Sequence, residues 1–255
     1  MSAVPASSPG RRRFLGQALA GIALALAGGA ARGEVPAADA FDALLHAHVR
    51  DGDVDYRGFR ASAGFRQYVA TLAQPATLPT RDDRIAHRIN AYNALAIQGI
   101  LDGLSPSSFL GRQRYFRLKS WPFDGATTTL HDLEHLLLRP LGEPRIHFAL
   151  VCASRSCPPL RTEAYVAARL DTQLDDQART FVNDRTRNRF DASSRTAQLS
   201  EIFKWYDEDF RGAGSVQRYL ARYVADAAVA RDLARDAFAI EWIPYDWRLN
   251  GTPPD

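Results

Sequence analysis

The segment from Arg81 to about Leu101 has the longest regular helical periodicity in the chain, and it constrains the fold more than any other feature. Its apolar residues recur every three or four positions, which predicts a helix with one buried face. Thr80 and Asp83 have the spacing of a capping box, so we expect the helix to begin at Arg81. The residues of the apolar face are Ile85, Ile89, Tyr92, Ala96 and Ile100.

Two asparagines lie beside this face: Asn93 falls at its edge and Asn90 just beyond it. A buried amide costs free energy unless its oxygen and nitrogen are hydrogen-bonded. One interpretation is therefore structural, with each amide holding a neighbouring loop. The other is functional, with an amide that orients a catalytic group or polarises a substrate. The sequence leaves both interpretations open.

The rest of the chain predicts short elements within a single domain over residues 38–250, because no repeat or long linker follows residue 37. Thr129 and Asp132 should cap a helix, and the apolar run over residues 145–151 is typical of a strand. Helices outnumber strands without regular βαβ alternation, so the predicted fold class is α+β, helix-rich with a small sheet. Other helices are predicted over 38–49, 163–182, 201–211 and 215–234, and other strands over 127–130, 188–191, 196–199 and 238–243.

The positive net charge of the chain comes from its N-terminal segment. Of the 32 basic residues, Arg11, Arg12 and Arg13 fall within residues 1–31, which contain no acidic residue. The rest of the chain therefore has 29 basic and 29 acidic residues and is formally neutral. Net charge thus gives no support for nucleic-acid binding, and no nucleic-acid partner is expected.

Residues 1–31 have the layout of a bacterial secretion signal: a basic start, an apolar run from Leu15 to Ala27 and an exit of small residues. The run is shorter than the ~20 apolar residues that a stable membrane span needs. Its Arg-Arg-x-Phe-Leu core is typical of a twin-arginine signal, which exports folded proteins. We expect cleavage after Ala30 or Ala31, no stable membrane span afterwards, and a periplasmic location.

A cysteine pair, Cys152 and Cys157, follows the predicted strand. A thiolate at the end of a strand is well placed to attack an acyl carbon, with a histidine taking the proton and a polar group orienting that histidine. Backbone amides of residues 153–156 would supply an oxyanion hole. This pattern predicts a cysteine-dependent amide or peptide hydrolase, or a related acyl transferase, that acts on a peptide- or amide-like substrate without a cofactor.

The histidine partner is predicted from the alternation of side chains along a strand. His147 would point away from the face that carries Cys152 and is expected to be a core histidine. His135, on the preceding helix, is therefore the candidate base, and one of the two asparagines would orient it or the substrate. Glu134 lies about 100° from His135 around the helix, so it would have a supporting ionic role.

Zinc is an alternative cofactor. His131, Glu134 and His135 match the H-x-x-E-H pattern of zinc hydrolases, in which both histidines bind the metal and the glutamate is the general base. A third ligand would come from downstream, from Glu201 or Glu208. A mixed zinc site is the other arrangement, formed by Cys152, Cys157 and His147.

The same cysteines support a third hypothesis. In the oxidising periplasm, two cysteines separated by four residues form a disulfide readily. A Cys152–Cys157 bridge would stabilise its loop modestly and would remove the nucleophile until a reductase opened the bond. The protein would then be a non-catalytic periplasmic binding module.

Trp205, Tyr206 and Phe210 lie close together on a predicted helix. They would form either a recognition surface or part of the core. Aromatic residues at this spacing usually pack in the core, so we expect a core position for all three. The sequence names no protein partner.

Four segments of the chain together resemble family 547 of the domains of unknown function, which occurs in bacteria and plants. The segments are Asn90–Asn93, Glu134–His135, Arg145–Leu160 and Tyr245–Asn250. The resemblance covers roughly residues 40–250. It implies that the family motif centres on Asn90, Asn93, Glu134, His135 and Cys152.

The resemblance also bears on the alternatives. Cys157 and His131 are less characteristic of the family, which weakens the disulfide and the zinc site as functions of the family as a whole. The resemblance implies no established activity. It is compatible with an analogy to papain-like and transglutaminase-like folds.

Overall fold

The structure, a computed structural model, describes residues 38–255. The predicted signal peptide over residues 1–31 therefore lies outside the described residues. Those residues form a helix-rich α+β fold with small sheets, which confirms the predicted fold class. The analogy to papain-like and transglutaminase-like folds stays a prediction. No helix within residues 38–255 is both long and apolar enough to cross a membrane.

Most of the helices in the described chain are short. The α-helices are α1 Ala38–His48, α2 Tyr56–Ala61, α3 Ala63–Thr71, α4 Arg81–Leu101, α5 Phe109–Arg112, α6 Leu130–Asp132, α7 Leu170–Asn183, α8 Ile202–Trp205, α9 Asp207–Phe210, α10 Val216–Leu220 and α11 Ala227–Leu233. Two π-helical segments, Gln113–Leu118 and Leu133–Leu138, continue α5 and α6. The 3₁₀ segments are Arg139–Leu141, Pro144–Phe148, Ala167–Arg169 and Arg211–Ala213.

The strands form three small sheets. The strands are β1 Val49–Arg50, β2 Asp53–Asp55, β3 Ser120–Phe123, β4 Ala126–Thr129, β5 Arg189–Asp191, β6 Thr196–Ser200, β7 Ala239–Ile243 and β8 Gly251–Thr252. In the sheet β1-β2-β8 the first pair is antiparallel and the second parallel, and the sheet β5-β6-β7 repeats this pattern. β3 and β4 form an antiparallel hairpin.

The central helix α4 has the bounds that the sequence predicts. Its capping box is complete, since Thr80 Oγ1 accepts a hydrogen bond from the Asp83 amide at 3.0 Å and the Asp83 carboxylate accepts one from the Thr80 amide at 3.1 Å. Fourteen of its 21 residues are buried, so other elements surround the helix instead of covering only one face. The prediction of a single buried face was therefore too narrow.

The predicted strand over residues 145–151 is wrong. Pro144–Phe148 forms a 3₁₀ helix with proline at its first position, where the missing amide proton costs nothing. A short, continuous apolar run occurs both in buried strands and in buried helices. Its residue pattern therefore could not distinguish a strand from a helix here. The alternation that turned His147 away from Cys152 therefore does not exist.

This 3₁₀ segment lies between two apolar clusters. Ile146 belongs to the cluster around α4, whereas Phe148 belongs to the cluster formed by α7 and the elements after it. Phe148 is fully buried and stacks on Phe181 with ring centroids 5.2 Å apart. The backbone that leads to Cys152 is therefore held by both parts of the core.

Replacing Thr80 with alanine should lower the free energy of unfolding by about 1 kcal/mol, because the amide of Asp83 loses its capping acceptor. The measurement is urea unfolding followed by circular dichroism. Thr77→Ala is the matched control, since Thr77 is exposed in the segment just before the helix. Equal stability of the two variants would contradict the capping role.

Candidate functional site

The buried amides of α4 bind the backbone of neighbouring segments. Asn93 Nδ2 donates to the Ala149 carbonyl at 3.0 Å, and Asn93 Oδ1 accepts from the Val151 amide at 2.9 Å. Asn90 makes the same reciprocal pair with the backbone of Tyr165, at 2.8 and 2.9 Å. Both amides thus hold loops, the structural interpretation, and the loop held by Asn93 is the one that carries Cys152.

The C-terminal segment holds the other side of the cysteine loop. The Arg155 amide donates to the Arg248 carbonyl at 2.8 Å, and the Ser156 amide donates to the Asp246 carbonyl at 3.2 Å. Two of the four amides in the predicted oxyanion loop, residues 153–156, are therefore already bound. An oxyanion hole in this loop is limited to its first two amides.

The two cysteine side chains meet within this loop. Their sulfur atoms lie within bonding distance, and their Cα atoms are 6.2 Å apart, inside the range that a disulfide requires. Cys157 is buried, whereas Cys152 is partly exposed. The Tyr245 hydroxyl lies 3.3 Å from Cys152 Sγ, and the Ser154 hydroxyl lies 3.1 Å from the same sulfur. The Ser154 hydroxyl donates to the Tyr245 hydroxyl, which in turn donates to Cys157 Sγ at 3.2 Å, so the two hydroxyls form a short hydrogen-bonded chain beside the sulfur pair.

Cys152 lines a pocket of about 260 Å³, which we call the aromatic pocket. Aromatic side chains form much of its wall: Tyr92, Phe116, Trp205, Tyr206, Tyr245 and Trp247. The pocket brings the predicted residues Cys152, His135 and Glu134 together, and it also includes His147. Asn90 and Asn93 do not line it. Both π-helical segments contribute side chains, in keeping with the frequent occurrence of π-turns at functional sites.

His147 is held by a carboxylate. Its Nε2 lies 2.6 Å from Asp209 Oδ2, and Arg139 binds the same carboxylate through two nitrogens at 2.7 and 2.9 Å. Tyr206 stacks on the imidazole with ring centroids 3.8 Å apart. Because an ionised carboxylate only accepts, Nε2 carries a proton. The nearest carboxylate oxygen to Nδ1 belongs to Glu134, at 3.6 Å.

His135 has the opposite arrangement. Its Nδ1 lies 2.9 Å from an Arg139 guanidinium nitrogen, which can only donate. The neutral imidazole therefore carries its proton on Nε2 and presents a donor. Burial lowers the pKa of His135, and the positive charges of Arg139 and Arg117 lower it further. The ring is thus neutral near pH 7.

The two carboxylates beside His147 are ionised. Burial would raise the pKa of Glu134, but the His147 ring and the Tyr206 hydroxyl outweigh burial, and the pKa falls below its ordinary value. Burial also opposes ionisation of Asp209, yet hydrogen bonds from His147 and Arg139 bring its pKa well below the usual range. The site therefore holds two negative charges around one imidazole.

The structure brings together only some of the residues in the two zinc arrangements. The His131 and His135 rings lie 4.2 Å apart and both line the aromatic pocket, but Glu134 contacts His147. Glu201 and Glu208 do not line this pocket. Within residues 38–255 no group of three candidate ligands is close enough together to hold a metal. Cys152, Cys157 and His147 do share the pocket.

Several residues of the site were missed from sequence. No sequence motif pointed to Asp209 as a partner of His147. The two residues are 62 positions apart, and Asp209 belongs to a run of acidic residues with nothing to distinguish it from the others. Phe210 is buried as predicted, but Trp205 is 43% exposed and lines the pocket, so its predicted core position is wrong. Tyr245 belongs to a segment that only the family resemblance had singled out.

The fold and the site define a helix-rich α+β protein with a cysteine pair in the wall of an aromatic pocket. Residues 75–182 match the family described as "Protein of unknown function, DUF547", and this match supports the assignment of the chain to that family. The match confirms the resemblance drawn from the motif residues. No curated protein and no solved structure matches the chain.

Replacing Asp209 with asparagine should lower the free energy of unfolding by about 2 kcal/mol at pH 7, since charge-assisted bonds to Arg139 and His147 are lost. The depressed pKa of Asp209 means that this contribution is complete above the ordinary aspartate value of about 3.9 and is lost as the pH falls below it. The measurement is urea unfolding of wild type and variant between pH 7 and pH 3.

Asp207→Asn is the control for this prediction. Asp207 forms a more exposed ion pair with Arg211, which should contribute less than about 1 kcal/mol. A stability difference between wild type and Asp209→Asn that is absent at pH 7, or unchanged down to pH 3, would contradict the assignment.

Proposed function

We propose that the protein is a cysteine-dependent amide or peptide hydrolase, or a related acyl transferase, that works in the periplasm with Cys152 as its nucleophile. The observation that carries the proposal is that Cys152 and His147 line the same pocket and that Asp209 binds His147 from behind, through Nε2. A nucleophile, a base and a carboxylate that orients the base are the three parts of a catalytic triad, whatever their order in the chain.

We assign the base to His147, where the sequence had favoured His135. We propose that Nδ1 of His147 accepts the proton, because Asp209 holds this ring through Nε2, whereas the Arg139 guanidinium occupies the lone pair of His135 Nδ1. Glu134, 3.6 Å from His147 Nδ1, would stabilise the imidazolium that forms, in the ionic role predicted for it. His135 Nε2 would donate to the substrate or to the developing oxyanion.

The chemistry then runs through one covalent intermediate. An external thiol reduces the bond between Cys152 and Cys157 and is itself oxidised. His147 Nδ1 takes the proton of the Cys152 thiol, and the sulfur forms a bond to the acyl carbon of the substrate. The carbon–nitrogen bond breaks, and the imidazolium gives its proton to the leaving amine. Water, or a second acceptor, releases the acyl group and restores the thiol.

A non-catalytic binding module is the second candidate, and the sulfur pair favours it. Cys152 and Cys157 lie at bonding distance, and a permanent bridge would leave no nucleophile. The aromatic pocket would then bind a small ligand by stacking, with the disulfide as part of its wall. Under this hypothesis the bridge resists mild reductants, and breaking it lowers the stability of the protein without creating any activity.

The reduced protein should react with p-nitrophenyl acetate by acylation of Cys152. We expect a burst of p-nitrophenolate that needs prior treatment with dithiothreitol, and an acetyl group on the Cys152 peptide by mass spectrometry. Cys157→Ser should show the burst without reductant, because Cys152 is then free, whereas Cys152→Ser should show none. His147→Gln should slow acylation by about 10²–10⁴-fold, the usual loss for a general base.

His135→Gln is the matched control for the choice of base, since both histidines line the same pocket. It should slow acylation much less than His147→Gln. If His135→Gln slowed acylation more than His147→Gln, His135 would be the base instead. Acylation of Cys152→Ser at the wild-type rate would end the proposal of a cysteine nucleophile.

A further inference from the structure

Exposed apolar side chains are concentrated in the segment that contains α5 and the π-helical turn after it. Within residues 38–255, five large hydrophobic side chains are exposed, from 43% for Trp205 to 73% for Leu118. Three of the five fall within residues 109–118, and two of the five line the aromatic pocket, Phe109 and Trp205. The exposed residues are Phe109, Leu110, Leu118, Leu136 and Trp205. Single exposed hydrophobic residues are normal, but their collection at one place marks an interaction surface.

The same surface carries positive charge. Residues 103–123, which contain α5 and the π-helical segment after it, hold four basic residues and no acidic one: Arg112, Arg114, Arg117 and Lys119. Lys119 pairs with Asp102 at 2.8 Å, so its charge is partly balanced. Arg114 and Arg117 are exposed. Leu110, Arg114 and Leu118 follow one another at four-residue spacing, which places them along one side of the helical segment.

We propose that this segment, residues 109–119, docks the protein on an anionic membrane surface. Exposed leucine and phenylalanine side chains would enter the interface between headgroups and acyl chains, while the arginines bind lipid phosphates. The segment is far too short to span, so it would lie in the plane of the interface. Phe109, Arg112 and Phe116 of this segment also line the aromatic pocket, so docking would bring the pocket against the lipid.

Charge favours a membrane over a second copy of the chain. In a symmetric dimer the same patch faces itself, so the arginines of both copies would share one interface without an acidic residue from this segment to balance them. An anionic lipid surface complements both the exposed apolar side chains and the positive charge of this segment. The docking does not depend on the chemistry proposed for Cys152.

The test is co-sedimentation with vesicles. The protein is purified from the periplasm and its N-terminus is checked by mass spectrometry, because the uncleaved residues Arg11–Arg13 would themselves bind anionic lipid. We expect binding to vesicles of phosphatidylglycerol and phosphatidylethanolamine, weakened by added salt, and little binding to phosphatidylcholine. Leu110→Ser/Leu118→Ser should abolish most of the binding.

Arg114→Gln should weaken binding about fivefold, the effect of one basic side chain at an anionic surface. Arg235→Gln is the matched control, an exposed arginine outside the segment, and should bind like wild type. Circular dichroism establishes that each variant is folded. Failure to bind phosphatidylglycerol vesicles, or equal weakening by both arginine variants, would overturn the proposal. So would a dimer in light scattering that the leucine variant converts to a monomer.

Discussion

The side-chain amide of Asn93 joins the central helix to the backbone that carries Cys152, and the arrangement of the site depends on that connection. One amide satisfies both the Ala149 carbonyl and the Val151 amide, groups that would otherwise be buried without partners. The C-terminal segment binds the same loop from the other side through Arg248 and Asp246. Segments distant in sequence therefore converge on one short loop, which places Cys152 in the wall of a pocket.

The second determinant of the site's arrangement is electrostatic. Two ionised carboxylates and one guanidinium surround the buried His147 ring, and charges in such a place must be paired or hydrogen-bonded to be tolerated. Asp209 meets this condition through Arg139 and also binds His147 Nε2. His147 is buried, as the sequence predicts, and it also lines the aromatic pocket, whereas His135 is held there by a guanidinium.

Local signals predicted the local structure well. The Thr80 capping box and the periodicity after it predicted both ends of α4, because a cap depends on residues only three positions apart. The segment before Cys152 was mispredicted because tertiary packing of Phe148 and Ile146, and not their spacing, decides between helix and strand there. Cys152, His135 and Glu134 were found from residue type and motif. Asp209 contacts His147 only through folding, so no local pattern could have found it, whereas Trp205 was recognised as a candidate for a surface but was assigned to the core.

The most direct test of the account is the pH dependence of alkylation of Cys152 and Cys157, measured separately by peptide mass spectrometry on the reduced protein. A Cys152 that shares its pocket with a base and with donor hydroxyls should label with a midpoint well below about 8.5, the value of an ordinary thiol, while buried Cys157 labels slowly. A Cys152 midpoint at or above 8.5, or cysteines that no dithiol reduces in the folded protein, would contradict a nucleophilic role. The aromatic pocket would then be a binding site alone.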